Sequence, residues 1–278
     1  MFLSAIQGEP AAPRALWGGM DLQHSRRGSG PPLLLIHGLG STRRAWSLIG
    51  RTIEEQREVI ALDLPGHGAT PAEADSGTFA GLARSLEAWL AAQELTGIDM
   101  IGSSLGGRLV LEMARRGKAG AVVALDPGGF WEGWERQYTY ASLTSMRSVL
   151  SAMGPALPIL SHNPAARTAM LAQLSARPWA LSGDLVQAEM ESVVATQTFH
   201  ELLKDLSFGP VQEGPAAPGS GPVTIGWGRQ DRLTLPVQAE RAVAAFPGAR
   251  LHWLEHSGHE PLFDEPDATI ALIRSAIG

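Results

Sequence analysis

Six short apolar runs recur along the chain: Leu33-Leu34-Leu35-Ile36, Val59-Ile60-Ala61-Leu62, Ile98-Asp99-Met100-Ile101, Ala121-Val122-Val123-Ala124-Leu125, Val223-Thr224-Ile225 and Leu251-His252-Trp253-Leu254. Each is too short for a helix and is bounded by glycine, proline or polar residues, which predicts buried strands. Longer stretches with helical spacing of apolar positions lie between them, at 78–94, 105–116, 236–246 and 266–277. Strands alternating with helices predict an α/β fold with a mostly parallel sheet covered on both faces. The segment before Pro32 reads as strands and turns, with Gly28-Ser29-Gly30 as a hairpin-type turn.

One interval breaks this rhythm. From residue 129 to residue 208 no strand-like run occurs, while helical patterns repeat and are interrupted near Gly154-Pro155, Asn163-Pro164 and Gly183-Asp184. Residues 209–222 are rich in glycine and proline and read as a return linker. The organisation expected is therefore a core made of 1–128 and 209–278, with 129–208 inserted as a helical cap.

The densest chemical signal is Gly102-Ser103-Ser104-Leu105-Gly106, between the run ending at Ile101 and a helical stretch that stops at Gly117. It fits the Gly-x-Ser-x-Gly nucleophile elbow, a sharp strand-to-helix turn that lifts a serine hydroxyl above the sheet. Glycines two residues to either side are needed because strand and helix nearly touch there. Only Ser104 can be the centre, since a frame on Ser103 would need glycine at Ile101.

A serine hydroxyl is a weak nucleophile until a base takes its proton and a third group holds that base. Serine, acid, histidine is one chain order in which such sets occur. Asp231, in Gly226-Trp227-Gly228-Arg229-Gln230-Asp231, and His259, in Ser257-Gly258-His259-Glu260-Pro261, supply it. Both follow predicted strands, where open parallel sheets place their ligands, so all three fall on one rim. Asp126 ends another strand and is the rival for the acid role. The glycine-rich turn His37-Gly38-Leu39-Gly40 follows the first strand, which points to the backbone N–H groups of Leu39 and Leu105 as an oxyanion hole. His37 reads as a residue that orders this loop, His67 as a local loop residue and Asp63 as structural.

With these motifs in place, the chain resembles the α/β-hydrolase superfamily, in its capped serine-hydrolase form. The resemblance spans most of the chain: His37-Gly38-Leu39-Gly40, Asp63-Leu64-Pro65-Gly66-His67-Gly68, the Ser104 elbow, the Asp231 loop and Ser257-Gly258-His259-Glu260-Pro261. It implies an α/β-hydrolase fold and hydrolysis of an ester-like or related carbonyl substrate through an acyl-enzyme. The same residues would serve carbon–carbon bond hydrolysis of a diketone-type substrate, and a non-catalytic ligand-binding protein on this fold is the remaining alternative. Haloalkane dehalogenases and epoxide hydrolases share the layout but carry aspartate at the elbow, where this chain has Ser104.

Composition narrows the partners. With 278 residues there is room for one large domain and an insertion, and a net charge of −6 offers no basic surface for nucleic acid or anionic membrane. There is no cysteine, and scattered histidines do not make a site, so no metal is expected, and an elbow, base and oxyanion hole leave no role for a cofactor. The first ten residues lack a positive n-region, and no run approaches a membrane span of roughly 18 apolar residues, so a cytoplasmic location is expected. The cap interval carries Trp131, Trp134, Tyr138, Tyr140, Met146, Met153, Trp179, Phe199 and Phe208, which either glue its helices to the core or line a pocket. Few charges are expected in that pocket, hence a small-molecule substrate that is apolar and uncharged.

Overall fold

A computed structural model describes residues 21–278 of the chain. Seven strands form one sheet: β1 (His24–Arg27), β2 (Pro32–Ile36), β3 (Glu58–Leu62), β4 (Asp99–Ser103), β5 (Val122–Leu125), β6 (Val223–Gly228) and β7 (Arg250–Leu254), in the order β1-β3-β2-β4-β5-β6-β7. All neighbours pair in parallel except β1, which runs antiparallel to β3 with His24 opposite Leu62. The Gly28-Ser29-Gly30 turn is therefore not a hairpin: it carries the chain from β1 over β3 to β2. Gly28 and Gly30 have φ values of 81° and 120°, and a Cβ on either would run into the carbonyls of Arg57 or Gln56. These glycines serve a close backbone approach, a need that composition cannot distinguish from a tight hairpin.

The helices are α1 (Ser47–Glu54), α2 (Phe79–Ala92), α3 (Leu105–Arg115), α4 (Glu135–Met153), α5 (Leu157–His162), α6 (Pro164–Leu171), α7 (Gly183–Ala195), α8 (Phe199–Phe208), α9 (Val237–Ala245), α10 (Pro261–Asp264) and α11 (Pro266–Ile277). The continuous apolar strands are explained by two faces that both need covering. On β2, Leu34 and Ile36 pack with Leu82 and Leu86 of α2, whereas Leu33 and Leu35 pack with Ile49 of α1 and Ile273 of α11. Burial is complete on both sides, so alternation is absent from the sequence.

Five helices, α4 to α8, fill the interval between β5 and β6, and local chemistry sets their ends. Asn163 caps α6, its Oδ1 accepting from the N–H groups of Ala165 and Ala166, with Pro164 as the first helical residue. The Ser182 hydroxyl accepts from Leu185 N–H at the start of α7. Their apolar faces form a third cluster that includes Leu143, Leu157, Leu171, Val186, Met190, Val193 and Phe199 and reaches Leu233 of the loop after β6. This cluster lies over the carboxyl ends of the strands, above the loops that hold Ser104, Asp231 and His259.

Candidate active site

Ser104 sits between the end of β4 and the start of α3 with φ 55° and ψ −112°, a conformation that L-residues adopt only when the surroundings force it. The flanking glycines provide that force. A Cβ on Gly102 would collide with the backbone of Gly106, and one on Gly106 with the carbonyl of Ile36. The neighbouring Ser103 is buried, and its hydroxyl has no hydrogen-bond partner among the described residues.

The rim brings three side chains into line. Ser104 Oγ lies 2.9 Å from His259 Nε2, and His259 Nδ1 lies 2.8 Å from Asp231 Oδ2. Asp231 also accepts from Leu233 N–H at 2.7 Å, from Thr234 N–H at 3.0 Å and from the Thr234 hydroxyl at 2.6 Å. A carboxyl so placed accepts a hydrogen bond from His259 Nδ1–H, which leaves Nε2 free to accept from serine. Burial disfavours the His259 imidazolium, but the charge and hydrogen bond of Asp231 more than offset it and hold the pKa above the ordinary histidine value. The His259 loop is fixed from outside as well. Its N–H donates to Leu174 O at 2.8 Å, and Asp264 accepts from Gly258 N–H, the Ser175 hydroxyl and Ala176 N–H.

Asp126 reaches the same cluster without touching the imidazole by a hydrogen bond. Its Oδ1 accepts from Gly228 N–H at 2.8 Å, and its Oδ2 is buried with no partner. Burial first, and then the charge of Asp231, push its pKa well above the usual carboxylate range. The geometry gives the imidazole to Asp231, not to its rival.

The loop after β2 passes close over Ser104: a Cβ on Gly38 would come within 3.3 Å of Ser104 Cβ. Leu39, Ser104 and Leu105 share the wall of one small recess. Among the described residues neither Leu39 N–H nor Leu105 N–H has a hydrogen-bond acceptor, which leaves two donors beside the hydroxyl. His37 secures this loop by accepting from Leu64 N–H at Nε2 and donating from Nδ1 to its neighbour's carbonyl, Gly38 O. Burial lowers its pKa to about 4, and that of the adjacent His67 to about 3, so both rings are neutral.

A cavity of about 80 Å³ opens from Ser104 and His259 toward α4 and α7. At roughly 12 Å³ per water-sized group it holds about six. Its wall is mainly Leu143, Leu171, Leu181, Val186, Met190, Val193 and Phe263, and few of the aromatic residues of the interval contribute. Trp134, Trp179 and Phe208 are exposed, while Phe199 and Met146 do reach the wall. Two carboxyls also line it, Glu189 and Glu260, neither of which sequence reasoning singled out. The available signal for Glu189 was its place on the apolar stripe Val186, Met190, Val193 of α7. The arginines of the interval are used elsewhere: Arg136 donates to Gly209 O, Arg147 to the carbonyls of Val193 and Val194, and Arg167 to those of Ser161 and Trp179.

Residues 33–272 match the family described as the alpha/beta hydrolase family. Over 266 residues the chain is 25% identical to 2-hydroxy-6-oxononadienedioate/2-hydroxy-6-oxononatrienedioate hydrolase 1 of Dechloromonas aromatica, covering 90% of this chain and 89% of that protein. Over 260 residues it is 27% identical to the pimeloyl-[acyl-carrier protein] methyl ester esterase of Aromatoleum aromaticum, covering 89% and 98%. A thermophilic esterase from Thermogutta terrifontis superposes with a TM-score of 0.71 at 17% identity, covering 91% of this chain and 92% of that one. Among the described residues no helix is long and apolar enough to cross a membrane.

Proposed function

The chain belongs to the alpha/beta hydrolase family, and from that premise we propose that it is a serine hydrolase cleaving an ester-like substrate through an acyl-enzyme. The observation that carries the reading is the continuous line Ser104 Oγ, His259 Nε2, His259 Nδ1, Asp231 Oδ2, with spacings of 2.9 Å and 2.8 Å.

In this mechanism His259 Nε2 accepts the Ser104 proton as Oγ bonds to the substrate carbonyl carbon. The carbonyl oxygen becomes an oxyanion and takes hydrogen bonds from Leu39 N–H and Leu105 N–H, donors typically worth about 3 kcal/mol each in the transition state. Collapse breaks the bond to the leaving group, which takes the proton from His259 Nε2. A water then donates its proton to the same nitrogen, attacks the acyl carbon, and frees the acid and Ser104. Asp231 keeps the imidazole in the required tautomer throughout. The helices over residues 135–208 act as a cap that keeps bulk water off the acyl group, and the cavity volume suits an acyl part of a few carbons with a mainly apolar body.

A fluorophosphonate tests this reading directly. It should label the wild-type chain on the peptide holding Ser104, leave Ser104→Ala unlabelled, and the variant should lose ester hydrolysis on the order of 10⁶-fold. Labelling at another residue, or an active Ser104→Ala, would refute the assignment. The likeness to a 2-hydroxy-6-oxononadienedioate hydrolase supports a second reading, carbon–carbon cleavage of a diketone by the same residues. Product analysis separates the two: an acid and an alcohol from an ester, an acid and a ketone-bearing fragment from a diketone.

A further inference from the structure

The cavity beside Ser104 has a feature that ester hydrolysis does not use. Glu189 of α7 and Glu260, which directly follows His259, both line its wall, and no lysine or arginine does. The Glu189 Oε2 accepts from the Ser41 hydroxyl at 2.7 Å. The side chain of Glu260 has no hydrogen-bond donor among the described residues, and it lines the same cavity. The rest of the wall is largely leucine, valine and methionine. Two carboxyls in such surroundings lose the hydration that stabilises their charge, and among the described residues only the Ser41 hydroxyl replaces part of it.

We propose that Glu189 and Glu260 form a subsite for a cationic nitrogen, so that the substrate carries an ammonium group on the part that occupies this cavity. The inference rests on the serine-hydrolase reading for its orientation, since the same cavity opens on Ser104 and His259. An ammonium provides both what the pair lacks: positive charge between two acids, and hydrogen-bond donors for the free oxygens of Glu260 and Glu189. An apolar chain of a few carbons would fill the leucine-lined length between the carboxyls and the hydroxyl of Ser104.

The electrostatics of the empty cavity agree. Burial raises Glu189 to about 7, against the pull of the Ser41 hydroxyl. Burial also raises Glu260 to about 7; His259 draws it down, and Glu189, Asp264 and Asp231 push it further up. Near neutrality the pair therefore holds protons that an arriving cation displaces: a carboxylic acid and an ammonium become a carboxylate–ammonium pair, and one proton leaves to the buffer.

That exchange is measurable without turnover. Titration calorimetry of the full chain at pH 6.5, where the pair holds protons, with n-pentylammonium and with 1-pentanol compares ligands that differ in the head group. The ammonium should bind at least tenfold more tightly, and its heat should change with the ionisation enthalpy of the buffer, reporting the released proton. Glu189→Gln and Glu260→Gln should each cut the preference for ammonium about tenfold and reduce proton release. Pentanol binding as well as pentylammonium, binding without proton release, or an unchanged preference in both variants overturns the subsite. The comparison in the wild-type chain stands even if a variant does not fold. Fluorophosphonate labelling of the same sample separates the two readings: a labelled Ser104 with no ammonium preference removes the subsite alone, and an unlabelled Ser104 removes the hydrolase mechanism alone.

Discussion

Asp231 and Asp126 show how position within one cluster gives identical side chains different partners. Asp231 faces three donors from Leu233 and Thr234 besides the imidazole, whereas Asp126 has one, the Gly228 N–H, and a partnerless oxygen. Asp231→Asn should lower kcat by roughly 10⁴-fold, because an amide can present N–H to the histidine and impose the wrong tautomer. Asp126→Asn leaves the hydrogen bond between His259 and Asp231 in place, so its loss should stay within about tenfold. If the two rank the other way in steady-state kinetics, the acid is Asp126. The pH profile gives a second readout. His259 must be unprotonated to accept the serine proton, and its pKa lies above the ordinary value, so kcat/KM should rise with pH along a limb centred above about 6.5. Removing the Asp231 charge should move that limb to lower pH. Ser104, Asp231 and His259 were readable because each sits in a motif whose glycines or chain order have a mechanical reason. Thr234 was not, because a threonine three residues past an aspartate carries no local sign of what it will face, and for Glu189 the apolar stripe around it on α7 marks burial but not the cavity it lines.

Between elements, the same contrast holds. Strand and helix positions followed from apolar runs because both faces of the sheet are buried, but the pairing of β1 with β3 did not. That pairing depends on a close approach of Gly28 and Gly30 to residues 54–57, a contact between segments that no local pattern encodes. The join between the inserted helices and the His259 loop is another such case. Asp264, at the end of α10, accepts from Ser175 Oγ at 2.6 Å, Ala176 N–H at 2.8 Å and Gly258 N–H at 2.8 Å. Arg177 also donates to its carbonyl. One buried carboxylate thus fixes the turn before His259 and the segment between α6 and α7 whose Leu174 O accepts from His259 N–H. Asp264→Ala strands buried N–H groups on both segments, and should cost about 3 kcal/mol in urea unfolding. It should also lower kcat more than it raises KM, since the displaced group is the base rather than the cavity wall. Asp264→Asn keeps one carbonyl acceptor and should recover part of both losses. Equal stability of Asp264→Ala and wild type would mean that the two segments are held by apolar packing alone.

Across the whole molecule, buried titratable groups pull stability in opposite directions as pH changes. His37 and His67 have folded pKa values depressed to about 4 and about 3 by burial, so the stability they confer is present above about 6.5 and lost as pH falls. Glu112 adds to this at lower pH. Burial pushes its carboxyl up, but hydrogen bonds from Arg115, Arg116 and Gln212 outweigh it and leave the pKa at about 2. Glu189 and Glu260 act in the reverse sense. Their folded values near 7 exceed the ordinary glutamate value, so they favour the fold fully below about 4.5, and that contribution is lost as pH rises through 7. Between about 4.5 and 6.5 the histidines gain part of what Glu189, Glu260 and the raised carboxyl of Asp126 lose, so the wild-type chain should melt only gently lower as pH rises there. Glu189→Gln and Glu260→Gln remove the opposing contribution. Relative to wild type, their Tm should therefore climb as pH goes from 5 to 8, by roughly 2–4 °C once cavity water is allowed to screen the charge. Below pH 4.5 the difference should stop changing, because both wild-type carboxyls are then protonated in folded and unfolded chains alike. A Tm difference independent of pH would show that Glu189 and Glu260 ionise in the fold as freely as they do in water, and that the cavity holds enough solvent to accept two charges.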